Sequence, residues 1–200
     1  MTLKYSDVEL DKITGNKYKN HLLVNYENRR FIVQTDWMTL SHYGVPKCDK
    51  FHTTEESRRY LQIPLNDDNL SNFIHNLDNV FSSENFRNTY LNEKQRNFNY
   101  IPIFKEGKNE YPPSMKLKMN IFEDNILTEI THKTSEGYQQ CNLENMDDVK
   151  RCIPYKCEYK LIFKVNRIWF MSKNYGVQVK FMKALVKVKN KEEDDIDFFD

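Results

Sequence analysis

The sequence predicts a mainly β fold carrying one helical insertion, and two observations predict it. Apolar and polar residues alternate at period two through most of the second half, the signature of half-buried strands. Near the middle, over about residues 67–92, the spacing changes to three and four, the signature of helix. Glycine (5) and proline (6) are scarce and no internal repeat is present, which argues against a linker-rich or repetitive chain.

Taken in order, Leu22, Val24 and Tyr26 alternate with Leu23 and Asn25. After a Glu27-Asn28 turn, Phe31, Val33, Thr35 and Trp37 alternate with Ile32, Gln34 and Asp36, so a hairpin is expected. A loop around Gly44-Val45-Pro46 precedes a short strand over Arg58–Ile63, stopped by Pro64. Asn66 or Asp67 is placed to cap a helix with Leu70, Phe73, Ile74, Leu77, Val80 and Phe81 on one face. Ser83 can cap a second short helix with Phe86, Tyr90 and Leu91, before extended chain at Phe98–Lys105.

Met115, Leu117, Met119 and Ile121 oppose Lys116, Lys118 and Asn120, and Glu123-Asp124-Asn125 turns the chain into Ile126–Thr131. Tyr155, Cys157, Tyr159, Leu161, Phe163 and Val165 oppose Lys156, Glu158, Lys160, Ile162 and Lys164, a half-buried strand with a basic outer face. A turn at Ser172–Gly176 leads to a last strand whose apolar phase shifts from Val177, Val179 and Phe181 to Ala184, Val186 and Val188. The shift predicts a β-bulge near Met182. Five or six strands with one main helix match an OB-like, partly open Greek-key barrel in a single domain over residues 1–190, followed by a disordered acidic tail at 191–200.

Aromatic residues make up 14% of the chain, more than a core of this size asks for, so some rings need another use. No twenty-residue apolar stretch is present, so no membrane span is expected. The first thirty residues lack the pattern of a signal peptide. An intracellular protein with its cysteines as thiols is therefore expected. The net charge of +1 hides an asymmetry: residues 192–200 (EEDDIDFFD) carry six acids and no base, leaving 30 basic and 23 acidic side chains, a net +7, on the rest.

Binding a single nucleic-acid strand needs cations along a groove for phosphates and rings on which unpaired bases stack. Lys116, Lys118, Lys156, Lys160, Lys164 and Arg167, with Tyr155, Tyr159, Trp169 and Tyr175, supply both types. Tyr155 and Tyr159 also fit the core, because they fall on the apolar face, and alternate lysines are the usual solvated side of an antiparallel sheet. The tail adds Asp194, Asp195, Asp197, Phe198, Phe199 and Asp200, rings set among acids where no core can use them. Such a segment reads as a peptide ligand: its carboxylates fit a cationic groove and its rings fit a partner's pocket.

This tail is similar to the acidic, aromatic-ended C-termini of replicative single-stranded DNA-binding proteins. The segment YKCEYKLIFKVNRIWFMSKNYGVQVKFMKALVKV, with WMTLSHYGVPKCDKF upstream, resembles the phage-type single-stranded DNA-binding proteins of large nucleo-cytoplasmic DNA viruses, relatives of those of T-odd coliphages. The resemblance implies an OB fold and cooperative or homodimeric coating of single-stranded DNA in replication, recombination or repair. It also implies strand annealing and tail contacts with a DNA polymerase or helicase-primase. The sequence departs from the phage pattern in its shorter tail.

Other chemistry is poorly supported. Cys141, Cys152 and Cys157 with His132, or His42, Cys48 and His52, lack the close cysteine pairs of structural zinc sites, so no metal or cofactor is assigned. Phosphate-binding loops, zinc-protease, serine-hydrolase and deaminase motifs are absent, and the five histidines have no partner that singles out a general base. Asp67-Asp68 and Asp147-Asp148 are adjacent pairs that seldom converge on one ion, and the first lies where a helix needs its cap. A non-enzymatic binder of single-stranded DNA is therefore expected. The rival readings are an RNA-binding or transcription-associated β-barrel and an interaction or virion scaffold.

Overall fold

A computed structural model of the chain describes residues 2–188. In chain order the elements are β1 (Leu3–Lys4), two 3-10 turns (Tyr5–Asp7 and Leu10–Lys12), β2 (Ile13–Tyr18), β3 (His21–Tyr26), β4 (Arg29–Gln34) and β5 (Met38–Thr39). Then come α1 (Glu55–Arg58), β6 (Tyr60–Pro64), α2 (Asp68–Ser82), α3 (Glu84–Tyr90), α4 (Glu93–Arg96) and β7 (Asn99–Ile101). The second half holds β8 (Ser114–Met119), β9 (Ile121–Phe122), β10 (Asn125–Ile126), β11 (Glu129–Thr134), β12 (Gly137–Gln140) and α5 (Met146–Cys152). It closes on β13 (Glu158–Met171) and β14 (Asn174–Lys187).

The spine is the long hairpin of β13 and β14. Its two turn residues, Ser172 (φ 47°) and Lys173 (φ 62°), are both left-handed, as a two-residue turn that matches strand twist requires. Glu27 (φ 46°) and Asn28 (φ 62°) join β3 to β4 in the same way. Ile162 pairs with Lys183 but Phe163 with Phe181, so Met182 is the extra residue of a bulge, where the phase shift predicts it. A second irregularity falls between Val165 and Arg167. Short strands flank the spine: β3, β4 and β5 pair along β13, while β7, β8 and β11 lie parallel to β14.

Closure into a barrel is not observed. The main path runs β1-β4-β3-β13-β14-β11-β12, and among the described residues no ladder joins its ends, so the sheet is open. One face is core: Phe31, Val33, Tyr159, Leu161, Phe163, Val165, Tyr175 and Phe181 are buried together with Leu70, Ile74, Leu77 and Phe81 of α2. Asp67 caps α2 by accepting from the Leu70 amide (2.7 Å), and Ser83 caps α3 by accepting from the Phe86 amide (3.1 Å). Asp78, buried on α2, accepts from the amides of Ile103 (2.8 Å) and Phe104 (2.9 Å) and from the Tyr100 hydroxyl, which ties the chain after β7 to the helix.

The described residues form fourteen strands where the sequence reading expects five or six, and several boundaries differ. The strand expected to reach Trp37 ends at Gln34, the strand expected over Ile126–Thr131 is split into β10 and β11, and β2, β12 and α5 have no counterpart in that reading. The strand expected from Arg58 starts at Tyr60, because Thr54 and Ser57 form a capping box that makes Glu55–Arg58 a helical turn. Pro64 belongs to that strand, opposite Ser114. The strand expected from Tyr155 starts at Glu158, because Lys156 is left-handed (φ 67°) and the Cys157 amide closes a turn onto the Pro154 carbonyl (3.2 Å).

Candidate nucleic-acid interface

On the other face of the sheet, register places one row of residues side by side across five strands. Ile32 on β4 pairs with Lys164 on β13, Lys164 with Lys180 on β14, Lys180 with Lys118 on β8, and Lys118 with Tyr60 on β6. Adjacent strands lie about 4.8 Å apart, and like charges opposite one another are destabilising, so this row opposes folding. The next rows add Arg167, opposite Leu23 and Gln178, and Lys116, opposite Gln62. Among the described residues no carboxylate pairs with Arg30, Lys116, Lys118, Lys164, Arg167 or Lys180.

The electrostatics agree with the geometry. Partial burial first, then Arg30 and Lys180, hold the Lys164 ammonium below the ordinary lysine range, and burial with Arg167 and Lys118 does the same to Lys180. Each group favours an added anion. A cavity of about 600 Å³ opens beside Lys118, Arg167 and Lys180 and is lined also by Asn166 and Gln178. Part of its lining is acidic, since Arg59 there pairs with Asp124 (2.8 Å) and Glu56 (3.8 Å), and Glu123 lines it as well.

Rings border the cations. Lys116 Nζ sits 4.1 Å from the centroid of the Tyr60 ring, and Tyr60 also faces a groove of about 570 Å³ shared with Tyr43, His52, Lys150 and Tyr155. At the other end of β13, Trp37 lies under both Lys160 (5.3 Å) and Lys187 (4.5 Å). Period two puts Trp37 on the core face. The alternation ends at Thr35, whose amide and hydroxyl bond to the carbonyl and amide of Leu161, and the ring turns out, half-buried. Trp169 is half-buried and packs on Gly176, where an added Cβ would come within 2.6 Å of the indole.

Of the sequence-predicted residues, Lys116, Lys118, Lys160, Lys164, Arg167 and Trp169 share this outer face. Tyr155 is 62% exposed and, with Lys156, lies in the turn before β13 rather than on the strand. Two tyrosines are corrected to core. Tyr159 and Tyr175 are both fully buried, because period two carries them onto the face that α2 covers. The Tyr175 hydroxyl donates to the Phe81 carbonyl (2.9 Å) and accepts from Arg87 Nε (3.0 Å), so neither ring can receive a base. Asp194, Asp195, Asp197, Phe198, Phe199 and Asp200 lie outside the described residues. Sequence reasoning missed Lys180, although it alternates with Val179 and Phe181, missed Tyr60, whose place in the row depends on register alone, and missed Arg30, whose charge acts on Lys164 from outside the row.

The remaining candidates resolve into structural roles with one exception. Asp67 caps α2, Asp148 closes the capping box of α5 with Asn145, and Asp147 pairs with buried Arg58. His132, Cys141 and Cys152 do converge. Among the described residues they are the one group of three or more such side chains close enough to hold an ion. Cys157 stays apart in the core, its thiol pushed up to about 12 by burial.

No family model matches the sequence, and no curated protein does. Among solved structures, the chain is similar to the single-stranded DNA-binding protein from bacteriophage Enc34. For a C-terminal truncation of that protein the TM-score is 0.46 at 12% identity, over 92% of this chain and 99% of that one. The protein without truncation gives 0.44 at 12%, over 93% and 96%. Its complex with single-stranded DNA gives 0.46 at 11%, over 90% and 98%. What this chain itself can bind is decided by its own surface.

Proposed function

We propose that this chain binds single-stranded DNA along the outer face of its sheet, as a coating protein of viral replication, recombination or repair with no reaction of its own. The observation that carries this reading is the row Lys164, Lys180, Lys118 ending on Tyr60: three neighbouring cations without carboxylate partners among the described residues, then a half-buried ring. Phosphates would relieve the repulsion along the row while bases stack on Tyr60, with Trp37 and Trp169 as further platforms. A sheet face offers no helix to enter a major groove, which favours an unpaired strand over duplex. In this reading the open sheet is a variant of the OB plan. Residues 192–200 act as an internal competitor for the cationic face and as the contact for a DNA polymerase or helicase-primase.

Titration of the full chain with fluorescent oligo-dT, oligo-U and duplex DNA at two salt concentrations tests the reading. Oligo-dT should bind tightest, and its affinity should fall with salt at a log-log slope of about −0.7 per phosphate neutralised. Tighter binding of duplex overturns it, tighter binding of oligo-U reassigns the face to RNA, and no salt-sensitive binding to any of the three leaves a scaffold.

A further inference from the structure

The convergence of His132, Cys141 and Cys152 is unexplained by strand binding, because these side chains are drawn from three separate elements. His132 stands on β11, Cys141 follows β12, and Cys152 is the last residue of α5. One ring nitrogen and the two sulfurs lie within 4.8 Å of one another. Main-chain pairing or burial holds each of the three residues in place. The Cys141 amide donates to the Ile130 carbonyl (2.9 Å), His132 is held opposite Val186 by the parallel pairing of β11 with β14, and Cys152 is buried.

The histidine is also oriented. Its Nε2 lies 2.9 Å from the Cys152 carbonyl, an acceptor only, so Nε2 must carry the ring proton and donate it. In the neutral ring that tautomer leaves the lone pair on Nδ1, so ligation of an ion would be through Nδ1. A ring N–H held by a backbone carbonyl is the usual outer support of a metal-ligating histidine, and the carbonyl belongs to a helix C-terminus, whose partial negative charge favours a nearby cation. Two sulfurs and one imidazole are soft donors that suit zinc above magnesium or calcium.

We propose that His132, Cys141 and Cys152 form a zinc site with three protein ligands and a fourth position filled by water, tying α5 to the β11–β12 hairpin. Solvent reaches it, since His132 and Cys141 are only half-buried. Binding replaces the two thiol protons by Zn²⁺ and releases them to solvent, with no change of oxidation state. Cys48 and Cys157 take no part. The site does not depend on the DNA-binding reading, and its readouts do not involve nucleic acid.

Purified full-length protein, reduced and dialysed against zinc and then against metal-free buffer, should retain one zinc per chain by elemental analysis. Replacement by Co²⁺ should give the visible absorption of a tetrahedral thiolate site. Both signals should vanish in Cys141→Ser and Cys152→Ser and persist in Cys48→Ser and Cys157→Ala, while His132→Ala should weaken zinc retention by more than about tenfold. Because a ligand variant can misfold, the wild-type cobalt spectrum and zinc-dependent rise in melting temperature decide independently. Reduced wild-type protein that retains no zinc and gives no thiolate–cobalt bands overturns the proposal. So does retention that survives both serine variants, or a Cys141–Cys152 disulfide found by mass spectrometry together with no zinc uptake after reduction.

Discussion

At the scale of single residues, what separates a tyrosine that holds the fold from one that meets a ligand is the face it occupies. Tyr159 is fully buried and its hydroxyl has no hydrogen-bond partner among the described residues. A buried hydroxyl left unpaired costs about 1–3 kcal/mol, so Tyr159→Phe should raise the melting temperature or leave it unchanged and should not alter DNA affinity. A clear loss of stability would mean that the hydroxyl is satisfied after all. Tyr60 is the opposite case. Tyr60→Ala should weaken oligo-dT binding by about 1–3 kcal/mol if a base stacks there. Lys180→Ala should instead reduce the salt slope by about 0.7, the signature of one lost phosphate contact. Parallel melting curves check that both variants are folded; if they are and bind like the parent, the row is not the interface.

At the scale of elements, the β13–β14 hairpin and α2 divide the work. The hairpin carries core on one face and cations on the other, and its bulge at Met182 lets the apolar phase continue while the strand bends. Strands β3, β4 and β8 pair with it only over short stretches, yet those stretches bring Ile32, Leu23 and Lys118 beside Lys164, Arg167 and Lys180. Helix α2 covers the core face and reaches past it through Asp78. Burial raises the Asp78 carboxyl above the ordinary range, opposed by the Tyr100 hydroxyl and the amides of Ile103 and Phe104. Asp78→Ala should destabilise by about 1–3 kcal/mol for each buried amide it orphans, measured by urea denaturation. Oligo-dT affinity of the folded variant should be unchanged, since Asp78 lies on the side away from the lysine row. A loss below about 0.5 kcal/mol would show that water replaces the carboxylate there.

At the scale of the whole molecule, charge is segregated: a net +7 body precedes nine residues with six acids. A short tether holds its end at a local concentration in the millimolar range, so the tail should compete with phosphates wherever it reaches the cationic face. Deleting residues 192–200 should tighten oligo-dT binding, most at low salt, because charges couple over only about 8 Å at physiological ionic strength. Replacing Phe198 and Phe199 by alanine should leave that competition in place and weaken capture of a replication partner. Unchanged DNA affinity on deletion at low salt would end the self-competition idea.

The sequence by itself determined the β3–β4 and β13–β14 hairpins, β8, the main helix with a cap at Asn66 or Asp67, the bulge near Met182 and the cationic side of β8 and β13. All of these follow from local rules of periodicity, capping and phase that need no knowledge of neighbours. It misplaced Tyr155, Trp37 and Arg58, because a strand ends where a turn, a cap or a cross-strand bond outcompetes alternation, and period two does not report those competitors. Only the tertiary structure decided that the sheet stays open and that Tyr159 and Tyr175 are core. It alone set Lys164, Lys180, Lys118 and Tyr60 in one row and brought His132, Cys141 and Cys152 together. Register between strands far apart in the chain is set by how side chains fill the shared core, and that packing has no signature in the spacing of residues along one strand.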